Sequence, residues 1–124
     1  MFKKLIPAVV SATVCLSAAV AEGEFRHVVF FKFKPDATPA QVMEIEREFS
    51  ALPGKIDAIT GYEWGTSESV EKLNDGFTHC FFVTFKDKAG LEAYLPHEAH
   101  KAFGAKLRPL LEKAFVFDYT AKKD

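Results

Sequence analysis

Two segments of the chain carry large apolar residues on both of their alternating faces. They span residues 25–34 (FRHVVFFKFK) and 77–86 (FTHCFFVTFK), and their aromatic and β-branched content predicts β-strands. A strand that packs on one side only alternates apolar with polar residues. Here Val28, Phe30 and Phe82 are apolar residues on the second face. We therefore expect a sheet that is covered on both faces.

The other segments complete the order β-α-β-β-α-(α)-β. Thr38, Pro39 and Gln41 supply an N-cap, a first-turn proline and a capping-box glutamine. We expect a helix from there to Pro53, a strand over residues 58–66, a polar loop over 67–76, a short helix after Asp87, a helix over 97–113 that bends at Pro109, and a last strand over 114–120. This is the order of an α+β, ferredoxin-like βαββαβ sandwich. A second copy covering the other face of the sheet would give a two-fold homodimer.

Charge and motif content exclude several functional classes. The chain has 16 basic and 17 acidic residues, for a net charge of −1, so it shows no basic surface for nucleic acid. It has no glycine-rich phosphate loop, no nucleotide fingerprint and no nucleophile elbow. Only the N-terminal segment is long and apolar enough to be considered as a membrane span.

The N-terminal segment is typical of an export signal. Lys3 and Lys4 precede an apolar run over residues 5–20, and Ala19-Val20-Ala21 forms a small-x-small cleavage site. We expect cleavage after Ala21, a mature domain over residues 22–124, a periplasmic or secreted location, and no membrane contact afterwards. A retained membrane anchor is the alternative. Cys80 is the only cysteine of the mature domain, so no internal disulfide can form.

Short motifs then occur in a fixed order along the mature chain: HVVFFKFK at residues 27–34, YEWG at 62–65, GFTH at 76–79, YLPHEAH at 94–100 and FDYT at 117–120. With these motifs the chain resembles the stress-responsive dimeric α/β-barrel (Dabb) family. The resemblance covers nearly all of the mature chain. It implies a homodimer whose two sheets pack into a barrel.

Within that family the chain resembles a plant polyketide cyclase that closes a linear thioester by an intramolecular aldol reaction and needs no cofactor. The resemblance implies that Tyr94 and His100 are the catalytic pair and that His27 and His79 line the pocket. The chain departs from that cyclase at three positions. Phe49 replaces a pocket tyrosine, Lys101 replaces an apolar residue, and Glu98 replaces the proline of a His-Pro-x-His signature.

The residues themselves indicate an apolar pocket that contains several imidazoles. His27 and His79 share strand faces with phenylalanines, and His100 shares a helical stripe with Phe103. Such imidazoles suit general acid–base chemistry, and a buried tyrosine can donate to a carbonyl or enolate oxygen. Asp118 is a candidate to orient one imidazole. We expect catalysis by His100 and Tyr94, and substrate binding by His27, His79, Phe31, Phe49, Phe81, Phe103 and Asp118.

The sequence is consistent with two different functions. One is cofactor-independent cyclase- or lyase-type chemistry on a small hydrophobic carbonyl compound. The other is a non-catalytic small-molecule-binding or stress-protective module. His97 and His100 lie three residues apart, but no cysteine or acidic cluster completes a metal motif. We therefore expect neither a metal nor a cofactor.

Overall fold

The computed structural model describes residues 23–123, and the expected export signal lies outside them. In chain order the elements are β1 (Phe25–Phe33), α1 (Pro39–Ala51), β2 (Ile59–Thr66), β3 (His79–Phe85), α2 (Lys88–Tyr94), α3 (Glu98–Leu107) and β4 (Leu111–Thr120). The strands form one antiparallel sheet in the order β2-β3-β1-β4. The predicted ferredoxin-like α+β fold is therefore confirmed. No helix in the described range is long and apolar enough to span a membrane.

Helix α1 begins as the sequence predicts. The Thr38 hydroxyl accepts from the backbone N–H of Gln41, and the Gln41 side chain accepts from the N–H of Thr38 at 2.9 Å. This reciprocal capping box satisfies two backbone donors that the first turn leaves free. Ile45 and Phe49 then face the sheet and are buried. The cap thus sets where the helix starts, and the apolar stripe sets which side packs inward.

The end of the last helix differs from the prediction. The sequence pattern predicted a helix that continues past Pro109, and that prediction is wrong. Helix α3 ends at Leu107, a single 3-10 turn follows over Arg108–Leu110, and β4 begins at Leu111. Proline has no N–H to continue the helical bonding, and the pairing of β4 with β1 extends to Leu111 opposite Phe33. Pairing with β1 therefore makes residues 111–113 part of a strand, although their sequence spacing is helical.

The two faces of the sheet differ in what covers them. One face packs against the helices and forms the core, with Phe31, Phe81, Val83 and Phe85 all buried. The strand register places another set of residues on the opposite face, which we call the outer face: Val28, Phe30, Phe82, Phe115, Phe117 and Tyr119. Phe115 and Phe117 are 50% and 56% exposed. The domain thus has a large aromatic surface that no helix of residues 23–123 covers.

Candidate active site

A cavity of about 260 Å³ lies between the sheet and helix α3. Most of its wall is apolar: Val29, Phe31, Phe49, Leu95, Phe103, Gly104, Leu107, Ala114 and Val116. Its polar groups are His27, Tyr94, His100 and Arg108. An apolar cavity with a few converging polar groups is typical of a small-molecule site.

His27 enters the cavity from β1 and is held from β4. The register places His27 directly opposite Asp118, and their Nδ1 and Oδ1 atoms lie 2.6 Å apart. A carboxylate can only accept, so the imidazole donates its Nδ1 proton to Asp118, and Nε2 is the ring nitrogen that this contact leaves free. The His27 ring lies edge-on to Tyr94, with 5.7 Å between the ring centroids.

His100 lies in the first turn of α3 and is half-buried. Its Nδ1 is 3.0 Å from the carbonyl oxygen of Leu95, so Nδ1 carries a proton and donates it, which leaves the lone pair on Nε2. Burial lowers the pKa of His100 below its ordinary value, and the neighbouring imidazoles of His27 and His97 lower it further, while the bond to Leu95 acts in the opposite direction. His100 is therefore neutral at pH 7 and has a basic nitrogen available.

Tyr94 is the last residue of α2 and is 1% exposed. Its ring lies 4.4 Å from that of His100 and 5.2 Å from that of Phe85, centroid to centroid. Burial raises the pKa of the Tyr94 hydroxyl well above its ordinary value. The hydroxyl therefore stays protonated at neutral pH and can act as a donor. A neutral base and a protonated donor lie side by side at one end of the cavity.

Comparison with known proteins defines the family. The Stress responsive A/B Barrel Domain family matches residues 25–121. The chain belongs to the stress-responsive A/B barrel (Dabb) family. The resemblance found in the sequence is thereby confirmed, and the match covers all the strands and helices described above.

Individual relatives of this A/B barrel domain include two enzymes. Olivetolic acid cyclase of Cannabis sativa is 34% identical over 98 residues, which cover 79% of this chain and 97% of that one. The solved hydroxynitrile lyase of Passiflora edulis superposes with a TM-score of 0.78 at 26% identity, covering 82% and 96% of the two chains. A dimeric protein of ferredoxin-like fold from Bacteroides fragilis superposes with a TM-score of 0.64 at 25% identity, covering 78% and 95%.

The A/B barrel fold brings most of the sequence-predicted site residues to this cavity. His27, Phe31, Phe49, Tyr94, His100 and Phe103 line it, and Asp118 contacts His27. His79 and Phe81 are not among the lining residues. Phe81 is fully buried and stacks on Phe49, with 4.2 Å between the ring centroids.

His79 occupies a different part of the sheet. It pairs with Phe31, whereas His27 pairs with Val83, so the two imidazoles share a face but lie at different points along the strands. The His79 Nε2 is 2.8 Å from Glu46 Oε2, and its Nδ1 is 2.7 Å from the Thr78 hydroxyl. Because protein groups already bind both ring nitrogens, His79 ties α1 to β3.

The fourth histidine of the domain, His97, lies at the start of α3. His97 is the N-cap of α3, and its Nδ1 accepts from the N–H of Ala99 at 3.0 Å. Over residues 23–123, no three histidine, cysteine, aspartate or glutamate side chains lie close enough together to hold a metal ion. His97 therefore serves the helix start.

Some lining residues were missed by reasoning from the sequence. Ala114, Val116 and Asp118 are spaced two residues apart along β4, so they lie on the same face of the strand. That two-residue period was the signal in the sequence that could have located Ala114 and Val116. Gly104 lies one helical turn after His100, and Arg108 one turn further. The four-residue helical spacing was the signal there.

Proposed function

We propose that this A/B barrel protein carries out cofactor-independent acid–base chemistry, of cyclase or lyase type, on a small hydrophobic carbonyl compound. One observation carries the proposal: neutral His100 and protonated Tyr94 lie with ring centroids 4.4 Å apart at an apolar cavity. The cyclase and hydroxynitrile lyase among its relatives support the same class of chemistry. Because one fold hosts many functions, the site carries the argument.

His100 and Tyr94 have different roles in the proposed reaction: His100 transfers the proton, and Tyr94 stabilises the negative charge. The His100 Nε2 lone pair accepts a proton from the carbon next to a carbonyl, or from the hydroxyl of an adduct that breaks down. The Tyr94 hydroxyl donates a hydrogen bond to the oxygen on which negative charge develops. His100 then returns its proton to the product. The protons balance within the site, and no oxidant or reductant is required.

His27 is a further polar group of the pocket, beside His100 and Tyr94. Its Nδ1–H donates to the Asp118 carboxylate, with 2.6 Å between Nδ1 and Oδ1, so this contact fixes the orientation of the ring. Its ring packs edge-on against Tyr94. His27 therefore binds the polar end of the substrate, while Asp118 positions His27.

Proton exchange in deuterium oxide tests the proposed chemistry without knowledge of the natural substrate. The methyl protons of acetophenone should exchange faster in the presence of the protein, as followed by NMR. His100→Ala should lower the enzymatic exchange rate by about 10² to 10⁴. His97→Asn, measured at about pH 8, is the matched control, because asparagine keeps the N-cap while removing a histidine outside the cavity. At that pH His100 stays neutral with or without His97, whose imidazole lowers the pKa of His100.

Two probe compounds, mandelonitrile and acetophenone, distinguish cyclase-type chemistry from lyase-type chemistry and from binding without reaction. Release of benzaldehyde from mandelonitrile reports lyase chemistry, and exchange without release reports enolate chemistry. Acetophenone binding without either reaction would favour the alternative, a non-catalytic small-molecule-binding or stress-protective module.

The protein also acts as a homodimer in this proposal, with the outer face as its interface. Phe115, Phe117 and Tyr119 are exposed there, and soluble monomers rarely leave apolar patches larger than a few hundred Å² in water. The dimeric protein of similar fold from Bacteroides fragilis supports this arrangement. A second copy would cover the aromatic surface, as the two-faced strands of the sequence predict.

Export to the periplasm or the medium completes the proposal. Its support is the Lys3-Lys4 start, the apolar run and the Ala19-Val20-Ala21 site. The intact mass of the protein purified from its host should equal that of a chain that begins at Glu22. Full-length protein confined to the cytosol or the membrane would contradict export.

A further inference from the structure

Arg108 lies at the rim of the cavity and is exposed to solvent. It is the one arginine or lysine among the lining residues. The ion pairs of residues 23–123 join Glu24, Glu46, Glu44, Glu48, Glu112 and Asp118 to other cations or histidines, and none involves Arg108. Its guanidinium is thus a charge next to an apolar cavity without a carboxylate partner in this part of the chain.

Gly104 explains where that guanidinium rests. A Cβ atom built on Gly104 would lie 3.1 Å from Nη1 of Arg108, so the guanidinium packs over the helix backbone at this position. Gly104 itself lines the cavity. Glycine inside a helix is less stable than alanine, and here its missing side chain gives the guanidinium its place at the rim.

The position of Gly104 sets a distance from the reacting groups. Gly104 follows His100 by four residues, which is about 6 Å along the helix axis. One small molecule can therefore bind the guanidinium through one group and bind Tyr94 and His100 through a carbonyl. Guanidinium geometry matches a carboxylate, to which it donates two parallel hydrogen bonds.

We propose that Arg108 is a specificity-determining residue that binds a substrate carboxylate, so that the substrate class is keto acids with an apolar body. The carboxylate lies at the rim against Arg108, the apolar body fills the cavity, and the carbonyl lies a few carbons away at Tyr94 and His100. The assignment of the carbonyl end rests on the proposed function. The assignment of the carboxylate end rests on Arg108 and Gly104 alone.

A matched pair of probes tests the inference by binding. 5-Oxo-5-phenylpentanoate has an aryl ketone three methylene groups from a carboxylate, and 5-oxo-5-phenylpentanamide is its neutral counterpart. NMR titration of the unmodified protein should show at least about tenfold tighter binding of the carboxylate, as a charge-assisted bond provides. Arg108→Gln should remove this preference while leaving the affinity for the amide unchanged.

Two further variants separate a binding role from a structural one. Gly104→Ala keeps the charge but displaces the guanidinium, so it should weaken carboxylate binding while raising the melting temperature through better helix propensity. Arg47→Gln removes an exposed arginine of α1 that does not line the cavity, and should leave both affinities unchanged.

Three results would overturn the inference: equal affinity for the two probes, an equal loss of both affinities in Arg108→Gln, or no binding of the carboxylate at millimolar concentration. Failure of the proposed chemistry is a separate outcome, because the His100→Ala variant should lose exchange rate and still bind the carboxylate more tightly than the amide. If the preference holds and the protein neither exchanges acetophenone protons nor cleaves mandelonitrile, the catalytic proposal fails and the role of Arg108 stands.

Discussion

His27 and Asp118 meet across the pairing of β1 with β4, with 2.6 Å between Nδ1 and Oδ1. The imidazole is buried, while the carboxylate is about one-third exposed. This contact fixes which ring nitrogen faces the cavity, because the carboxylate accepts the Nδ1 proton. The pair therefore positions a polar group in a pocket that is otherwise mostly apolar.

Asp118→Asn should disturb that position without unfolding the domain. An asparagine amide can donate to Nδ1 and stabilise the opposite tautomer of His27, with an expected loss of exchange rate of about 10- to 100-fold. Nitrogen NMR of the His27 ring should report the tautomer change. Glu112→Gln is the control, since Glu112 lies on the same strand and pairs with half-buried Lys32 outside the cavity. A full rate together with an altered tautomer would contradict this role.

The pH profile of the exchange rate should follow His100. Burial lowers the pKa of His100 below 6.5, and only its neutral form accepts a proton. The rate should therefore rise with pH through a midpoint below 6.5. Tyr94 should cause no loss on the alkaline side below pH 10, because burial raises its pKa. An acidic midpoint above 6.5 would contradict the assignment of His100 as the base.

The same lowered pKa of His100 couples folding stability to pH. Near and below pH 6.5 the unfolded chain binds a proton at His100 more readily than the folded chain does, so stability rises with pH in this range. The contribution is complete above the ordinary pKa and is lost as pH falls through the lower, folded value. His100→Ala should flatten this part of a stability–pH curve measured by urea denaturation.

Glu46→Ala should affect stability and leave the chemistry unchanged. The Glu46 carboxylate is 2.8 Å from the buried imidazole of His79, and removing it leaves Nε2 without that partner. We expect a loss of about 1 to 3 kcal/mol in the free energy of unfolding. Glu44→Ala removes an exposed carboxylate from the same helix and should cost less. A large loss of exchange rate in Glu46→Ala would give His79 a role in the site.

Phe117→Glu should break the proposed homodimer. Phe117 is 56% exposed on the outer face, and a glutamate buried there in a dimer would lack a partner. Light scattering should give a dimer mass for the unmodified protein and a monomer mass for the variant. Met43→Glu alters an apolar residue of α1 that is also exposed and should remain dimeric. A monomeric unmodified protein at micromolar concentration would contradict the proposal.

Sequence periodicity predicted which residues face the core, and it could not predict how far along the strands they lie. His27 and His79 both lie on the core face of their strands, but the register pairs His27 with Val83 and Phe31 with His79. Only hydrogen-bond pairing between strands fixes that offset. The wrong prediction for the end of the last helix has the same cause. Residues from Leu111 onward pair with β1 and belong to β4, and the sequence pattern does not show that pairing.

Local chemistry was predicted better than long-range placement. The capping box of Thr38 and Gln41 forms as expected, since it depends on residues three apart. Arg108 was missed because its place at the rim depends on Gly104.

The most direct test of the acid–base site is a paired measurement of exchange rate and melting temperature for Tyr94→Phe and His100→Ala. The Tyr94 ring is buried against Phe85 and His100, and phenylalanine keeps that packing while removing only the donor. Both variants should lose about 10² to 10⁴ in acetophenone exchange rate, with melting temperatures within a few degrees of the unmodified protein. Variants that melt at clearly lower temperature and keep the full exchange rate would show that these two side chains serve folding alone.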